Sequence, residues 1–237
     1  MIEVGKINRA TALRYLGMKQ EDADEVMEAL LNEAEELLHK DAKVTFVCGI
    51  YDILRHENNV LLDECNLEIE SKDIERLLSD SKKAVLLCAT ISSYVDTRLR
   101  KLQISNMPLA IVYDALASVA IDQVVDSIQV MVNEQVPGFV QTMRFSPGYG
   151  DMPLSMQGTL LNILEAGKRA GISLTEGGML TPVKSVTAVF GLRDIKELSL
   201  EGVGTIIPKN GGCGDESVCG KCKHRSGCRL GSKTVKG

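Results

Sequence analysis

Two short stretches of this sequence hold residues whose types and spacing suit ligand or metal chemistry. The first is RFSPGYGDMP, residues 144–153, in which Arg144 stands five residues before Tyr149 among two glycines and two prolines. Arginine presents a planar fork of N–H donors that matches a carboxylate, and a tyrosine ring can stack on a flat ligand. The set suits a ligand with a carboxylate and a ring. A purely structural arginine in a turn is the alternative.

The second stretch is CGDESVCGKCKHRSGC, residues 213–228, in which four cysteines are spaced C-x5-C-x2-C-x5-C. They are Cys213, Cys219, Cys222 and Cys228. Two thiolates two residues apart can bind one ion, so the four predict either a tetrahedral zinc site or an iron–sulfur cluster. Spacing does not distinguish these metals. Four unligated thiols are the alternative.

The other three cysteines, Cys48, Cys65 and Cys88, lie in apolar or strand-like segments. Their separation from the C-terminal cluster favours buried thiols over a secreted disulfide framework. The first residues lack the basic and then apolar plan of a signal peptide, and no stretch approaches the roughly 18 consecutive apolar residues of a spanning helix. We therefore predict a cytoplasmic protein without a membrane partner.

The charge is divided unevenly along the chain. The net charge is −5, but residues 209–237 contain seven Lys or Arg against two acids, which leaves the body at about −10 and the tail at about +5. An acidic body argues against nucleic acid as a partner of the main domain. The change in charge, glycine and cysteine content also places a boundary near residue 208.

Helical and strand-like patterns alternate in the first hundred residues, which predicts a single mixed α/β (α+β) domain over residues 1–208 and a small Cys-rich basic tail over 209–237. Residues 21–40 and 71–80 have helical patterns; residues 43–50, 60–70 and 83–91 have strand-like ones.

A long helix is predicted from Asn106 to about Val132, because Asn106 followed by Pro108 is a typical helix start. Asp114, Asp122 and Asp126 lie on one stripe of this helix, offset from an apolar stripe. A carboxylate face for a ligand and a plain solvated face both fit that pattern. After the Arg144 loop, residues 155–171 predict a helix closed by Gly171, followed by a strand, a Gly-Gly turn and a strand at 185–190.

This series of motifs resembles the activation domain of cobalamin-dependent methionine synthase, which has an R-x-x-P-G-Y-P loop, a G-x-x-L-T-E segment, a Met and Pro pair and a strand. The matching residues are Arg144, Pro147, Gly148, Tyr149, Pro153, Gly171, Leu174, Thr175, Glu176, Met179, Pro182, Ser185 and Val186. The helix YDALASVAIDQVVDSI is similar to that family's A-L-A helix.

The resemblance implies an S-adenosylmethionine site. Arg144 would bind the methionine carboxylate, and the loop of Pro147, Gly148 and Tyr149 would touch the nucleoside. Asp122 or Asp126 falls near where the family places an acid, which would face the positive sulfonium. Glu176 belongs either to this site or to its own turn.

The implied function is reductive methylation of cobalamin, which restores the active cofactor of a methyltransferase such as methionine synthase. The 237 residues contain no D-x-H-x-x-G cobalamin loop, so the corrinoid would belong to a partner chain, and an electron donor protein is a further possible partner. The family's pair of aromatic residues beyond the last strand has no counterpart in GLRDIKEL. The alternative function is a non-catalytic adaptor or corrinoid cap whose basic zinc tail docks a partner.

Overall fold

A computed structural model of the chain describes residues 2–56 and 59–196. The predicted mixed α/β domain is confirmed in this part of the chain. The four cysteines of the predicted metal site, and the predicted boundary near residue 208, lie outside the described residues. The helices are α1 Arg9–Tyr15, α2 Glu25–Asp41, α3 Lys72–Leu77, α4 Ser93–Ser105, α5 Met107–Gln135, α6 Met156–Ile163 and α7 Ala166–Ala170. The strands are β1 Thr45–His56, β2 Asn59–Leu62, β3 Leu67–Ile69, β4 Lys83–Thr90, β5 Phe139–Gln141, β6 Ser173–Leu174, β7 Leu180–Thr181 and β8 Ser185–Asp194.

Six strands form one antiparallel sheet in the order β3-β2-β1-β4-β8-β5, and β6 and β7 form a separate hairpin. The central strand β4 is buried from Ala84 to Thr90. Such a continuous apolar run is typical of a strand covered on both faces, because neither set of alternating side chains meets water. Helices do cover both faces of this sheet.

On the first face, α5 is the core helix, and α1, α2 and α4 pack around it. Asp41, at the end of α2, links this helix to α4 and α5. It accepts two hydrogen bonds from the guanidinium of Arg98 and one from the hydroxyl of Tyr113, whose ring is fully buried. An 18-residue window of α5 has a mean hydropathy of 1.5, and 67% of that window is buried inside the protein. Its apolar character therefore serves the core.

The second face is covered by α3, α6 and α7, with the inward side chains of β2 and β3. The helix predicted over residues 155–171 is in fact two helices, because Glu165 has a left-handed backbone (φ 49°) that ends the first. Gly171 (φ 69°) does close the second, as predicted. Residues 60–70, predicted as strand-like, form the two strands β2 and β3 with a turn between them.

Candidate functional site

The site is built along one side of α5. The helix begins as predicted: the side chain of Asn106 accepts a hydrogen bond from the Leu109 N–H at 3.2 Å, and Pro108 lies in the first turn. From there, four polar residues follow one another at four-residue steps, which keeps them on one side of the helix. We call this set, Asp114, Ser118, Asp122 and Asp126, the acidic row. All four are partly buried, so the row is not a freely solvated face.

Two cations from other parts of the chain meet the two ends of the acidic row. Arg144 forms a salt bridge with Asp126 and donates to Gln129 Oε1 at 2.8 Å. Lys184 Nζ lies 2.7 Å from Asp114 Oδ1 and 2.8 Å from Ser118 Oγ. The side chains of Arg144 and Lys184 are only 18% and 10% exposed, while their partners Asp126 and Asp114 are 34% and 47% exposed, so each salt bridge has a buried cation and a carboxylate that reaches water. Arg144 is thus held by α5 in a defined orientation.

Asp122, in the middle of the acidic row, makes no salt bridge to any residue in the described part of the chain. The hydroxyl of Tyr15 donates to its Oδ2 at 3.4 Å. Burial raises the pKa of Asp122 and the neighbouring Asp126 raises it further, while Arg144, Tyr15 and Lys184 act in the opposite direction. A cation that binds beside this carboxylate would be held favourably, because it stabilises the charged form that burial disfavours.

The sheet edge places Arg144 against α5. The Thr142 N–H donates to Gly191 O at 2.9 Å, and Phe145 exchanges two backbone hydrogen bonds with Val189 at 2.8 and 2.7 Å. Successive side chains of an extended segment point to opposite faces. Phe145 therefore packs into the core of the second face, and Arg144 reaches the helix on the first.

The rest of the loop is a tight turn fastened to α3. The Gly148 N–H donates to Met152 O at 2.9 Å, and Gly148 and Gly150 have positive φ values of 90° and 54°. A Cβ at Gly150 would overlap Asp73 Oδ2, so glycine is required there. Asp151 accepts hydrogen bonds from the hydroxyl of Ser71 and from the first backbone N–H groups of α3, and these hydrogen bonds, the Ser71 one first, lower its pKa.

The loop meets the hairpin turn at Leu154. A Cβ at Gly148 would be 3.2 Å from Leu154 Cδ1, and a Cβ at Gly178 would be 3.8 Å from Leu154 Cδ2. Beside this contact the side chains of Tyr149, Met179 and Leu154 are 70%, 62% and 41% exposed. We call these three residues the apolar platform. Such neighbouring exposed apolar side chains are typical of a binding surface.

The structure therefore divides the predicted site residues into two neighbouring groups. Arg144, Asp122 and Asp126 come together on α5. Gly148 and Tyr149 lie on the fastened turn, the buried Pro147 precedes them, and the exposed Glu176 lies on the adjacent hairpin turn. Within residues 2–56 and 59–196, no side-chain hydrogen bond or salt bridge joins Tyr149 or Glu176 to the acidic row.

Sequence reasoning missed three residues of this site. Lys184, Tyr15 and Gln129 contact the acidic row or Arg144, yet they lie on three separate segments. Nothing in their local sequence indicates a shared site, because only the fold brings them to α5.

A groove of about 340 Å³ opens between α1, α4 and α5, at the N-terminal end of the acidic row. Asp114 and Ser118 line the groove and belong to the acidic row. Tyr15 also lines the groove, and its hydroxyl donates to Asp122 of the row. Its other lining residues are Leu16, Leu99, Gln103, Met107, Ala110, Ile111 and Ala115. Among the described residues, no cluster of three His, Cys, Asp or Glu side chains is placed to hold a metal ion. The metal site predicted in the tail stays a prediction.

Comparison with known proteins is informative at the level of structure. No family model matches the sequence, and no curated protein matches it. Among solved structures, the chain is similar to the crystal structure of the MetH reactivation domain bound to AdoHcy, with a TM-score of 0.56 and 16% sequence identity over 77% of this chain and 73% of that one. Identity at this level shows the fold alone. The resemblance inferred from the loop, hairpin and helix motifs is confirmed at that level: the chain has the fold of the MetH reactivation domain.

Proposed function

We propose that the protein binds S-adenosylmethionine and supports reductive methylation of a cobalamin carried by a partner methyltransferase. The observation that carries the proposal is Arg144, a partly buried guanidinium fixed by Asp126 and Gln129 beside a carboxylate, Asp122, that lacks a salt bridge among the described residues. The fold is that of a domain solved with the demethylated product of this ligand.

The two charges of the ligand fit this arrangement. The methionine carboxylate binds the guanidinium of Arg144, either beside Asp126 or in its place, since arginine offers five N–H donors. The amino and sulfonium groups, both positive, then face Asp122 and Asp126. Because these carboxylates are partly buried, each attraction is stronger than it would be in water.

The nucleoside lies toward the apolar platform. Gly148 follows Arg144 by four residues, which span at most about 14 Å of chain, so one extended ligand can reach from the guanidinium to the platform. The exposed ring of Tyr149 offers a stacking surface, and Met179 and Leu154 offer apolar contact. Glu176 lies on the adjacent hairpin turn and contacts either the ligand or the partner.

The partner would supply the cobalamin as cob(II)alamin, whose conversion to methylcobalamin requires one electron and the methyl cation of S-adenosylmethionine and would leave S-adenosylhomocysteine in the site. The partner docks over the apolar platform and encloses the nucleoside bound there, which brings the cobalamin to the methyl group. The electron comes from a donor protein, through an iron–sulfur cluster at Cys213, Cys219, Cys222 and Cys228 if iron occupies the tail. A zinc-bound tail would serve only docking.

Calorimetric titration of the full-length protein with S-adenosylmethionine tests the ligand. Arg144→Lys keeps the charge but loses the planar fork, so we expect affinity to fall at least tenfold. Arg169→Lys is the matched control, because Arg169 also pairs with a carboxylate, Glu165, but on the surface of α7. Equal affinity for S-adenosylmethionine in the wild type and Arg144→Lys would contradict the assigned role.

A second experiment separates the proposed activity from the cap or adaptor alternative. A corrinoid methyltransferase held as cob(II)alamin is mixed with the protein, S-adenosylmethionine and titanium(III) citrate, and methylcobalamin is followed by absorption. Methylation that depends on wild-type Arg144 supports the proposal. Complex formation without ligand binding or methylation would favour the cap. Iron and zinc analysis of anaerobically purified protein identifies the metal of the tail.

A further inference from the structure

The groove between α1, α4 and α5 takes no part in the proposed function. The proposed ligand extends from Arg144 past Asp122 toward the apolar platform, whereas the groove opens at Asp114 and Ser118, at the other end of the acidic row. Its volume of about 340 Å³ lies within the range of small-molecule sites in proteins, about 300–1,000 Å³. The groove is therefore large enough for a second small molecule.

Most of the groove wall is apolar and partly open to water. The lining residues of α5 recur at three- and four-residue steps, so they form one continuous side of the helix, and Leu16 and Leu99 line the groove from α1 and α4. Met107 and Ile111 are each 52% exposed, and Tyr15 is 45% exposed. A molecule that enters the groove covers apolar surface that is otherwise hydrated, and this burial favours binding.

The charge at the groove is negative. Among the residues that the structure describes, Asp114 is the only charged one in the groove lining. Its Oδ1 pairs with Lys184, yet its side chain is 47% exposed, so the carboxylate can accept a further donor. One turn beyond Ser118, Asp122 contacts Tyr15 of the groove and has no salt bridge within the described chain. Two carboxylates against one ammonium group attract a cation and repel an anion.

We propose that this groove is a second ligand site, which binds a small organic cation with an apolar body. The cationic group binds the carboxylate of Asp114, where the groove meets the acidic row. The apolar body covers Leu99 and Ile111, and the exposed amide of Gln103 is available to a polar substituent. This site is separate from the one at Arg144, so the proposal does not depend on the function proposed above.

Three probes that share a phenyl ring and differ in charge test the ligand class. They are 2-phenylethylammonium, 2-phenylethanol and phenylacetate, and their binding to the full-length protein is followed by titration in ¹H–¹⁵N NMR spectra, which detect millimolar affinity. The ammonium probe should bind at least about threefold more tightly than the alcohol, as expected for a partly exposed ion pair, and phenylacetate should bind most weakly. The shifted amide signals should belong to α1, α4 and the first half of α5.

Variants of the lining locate the site. Asp114→Asn should remove most of the preference for the ammonium probe, whereas Ile111→Ala should weaken all three probes by a similar factor, about threefold, because it removes contact with their common body. Ile111 is half-exposed, so this variant should fold even if Asp114→Asn, which leaves Lys184 unpaired, does not. Ile104→Ala is the matched control, since Ile104 is 90% exposed on α4 and does not line the groove.

Equal affinity of the wild type for the three probes would overturn the proposal, as would affinities that Ile111→Ala leaves unchanged. Complete displacement of the ammonium probe by S-adenosylmethionine would also overturn it, because the probe would then occupy the centre of the acidic row. Wild-type protein that binds the ammonium probe with the expected preference, but does not bind S-adenosylmethionine, would support this site and contradict the proposed function alone.

Discussion

Replacing Asp151 with alanine should both destabilise the protein and loosen the ligand loop. Asp151 belongs to the loop, yet its carboxylate acts at the start of α3, where it accepts the N–H groups of Lys72 at 2.8 Å and Asp73 at 3.2 Å. It also accepts a hydrogen bond from the hydroxyl of Ser71. The oxygen of that hydroxyl accepts a hydrogen bond from the Ile74 N–H at 3.1 Å. One side chain therefore satisfies N–H donors that the helix itself leaves free.

The size of the effect follows from these contacts. Loss of a carboxylate from a helix N-terminus costs about 1–2 kcal/mol through its hydrogen bonds and its interaction with the helix dipole. For a chain of this size that corresponds to a fall in melting temperature of about 2–8 °C. Asp151→Asn keeps the shape and one acceptor, so about half of that loss is expected.

The contribution of Asp151 to the free energy of unfolding should depend on pH in a defined direction. Hydrogen bonds from Ser71 and the α3 backbone hold the pKa of Asp151 below its ordinary value of about 3.9. Its contribution to the free energy of unfolding is therefore present above that ordinary value and is lost as the pH falls through the lower, folded-state pKa. Urea unfolding followed by circular dichroism at pH 7, 5 and 3 should show a constant gap between wild type and Asp151→Asn at the two higher values, and a smaller gap at pH 3.

Asp24→Asn provides the matched control. Asp24 caps α2 by accepting the Met27 N–H at 2.8 Å, far from the ligand loop along the chain. Both variants should lose stability, but only Asp151→Asn should also lose affinity for S-adenosylmethionine. The reasoning is refuted if Asp151→Asn and the wild type unfold at the same urea concentration at pH 7, or if the two variants change affinity equally.

Three further changes have defined outcomes. Asp122→Asn should stabilise the free protein at pH 7, because burial raises the pKa of Asp122 and the charged form is unfavourable in the fold. The gain in melting temperature should begin to shrink as the pH falls through that raised pKa and should be gone below the ordinary pKa of an aspartate, and ligand affinity at pH 7 should fall. Tyr113→Phe removes the hydroxyl that donates to Asp41 at 3.1 Å and should cost about 1–2 kcal/mol in urea unfolding. Gly150→Ala should destabilise by more than 1 kcal/mol, since its φ is 54° and its Cβ would overlap Asp73, whereas Gly158→Ala, whose Cβ would meet Leu174 at an ordinary 3.5 Å, should be neutral or stabilising in the same assay.

Local pattern was sufficient for the elements that carry strong sequence signals. The long helix α5 follows from the Asn106 cap, Pro108 and an apolar stripe, and β4 follows from a continuous apolar run. The break at Glu165 was not predictable, because a left-handed glutamate carries no sign of it in the local sequence. The helix α4 and the edge strand β5 were also missed, since their weaker patterns gain stability mainly from packing on their neighbours.

The candidate site was predictable in its residue types and not in its pairings. Arg144, Asp122 and Asp126 were selected by motif and helical spacing, and the fold does bring them together. That Arg144 already holds Asp126 in the free protein depends on which side of the sheet edge residue 144 faces, a property of the β5 and β8 pairing. Asp151 reads in the sequence as an ordinary loop acid, and only the position of α3 reveals its role.

Two polar groups that lack a full set of partners lie on the helices α5 and α6. Asp122 is a partly buried carboxylate without a salt bridge among the described residues, and Gln157 is a buried amide with an unsatisfied oxygen. They belong to helices on opposite faces of the sheet, so their effects on the free protein should add when both are changed. A ligand compensates only for a group that it reaches, so S-adenosylmethionine should raise the melting temperature of the wild type by more than that of Asp122→Asn, and by about the same amount as that of Gln157→Leu. A ligand-induced shift that is the same in the wild type and in Asp122→Asn would mean that Asp122 destabilises the fold without serving the site.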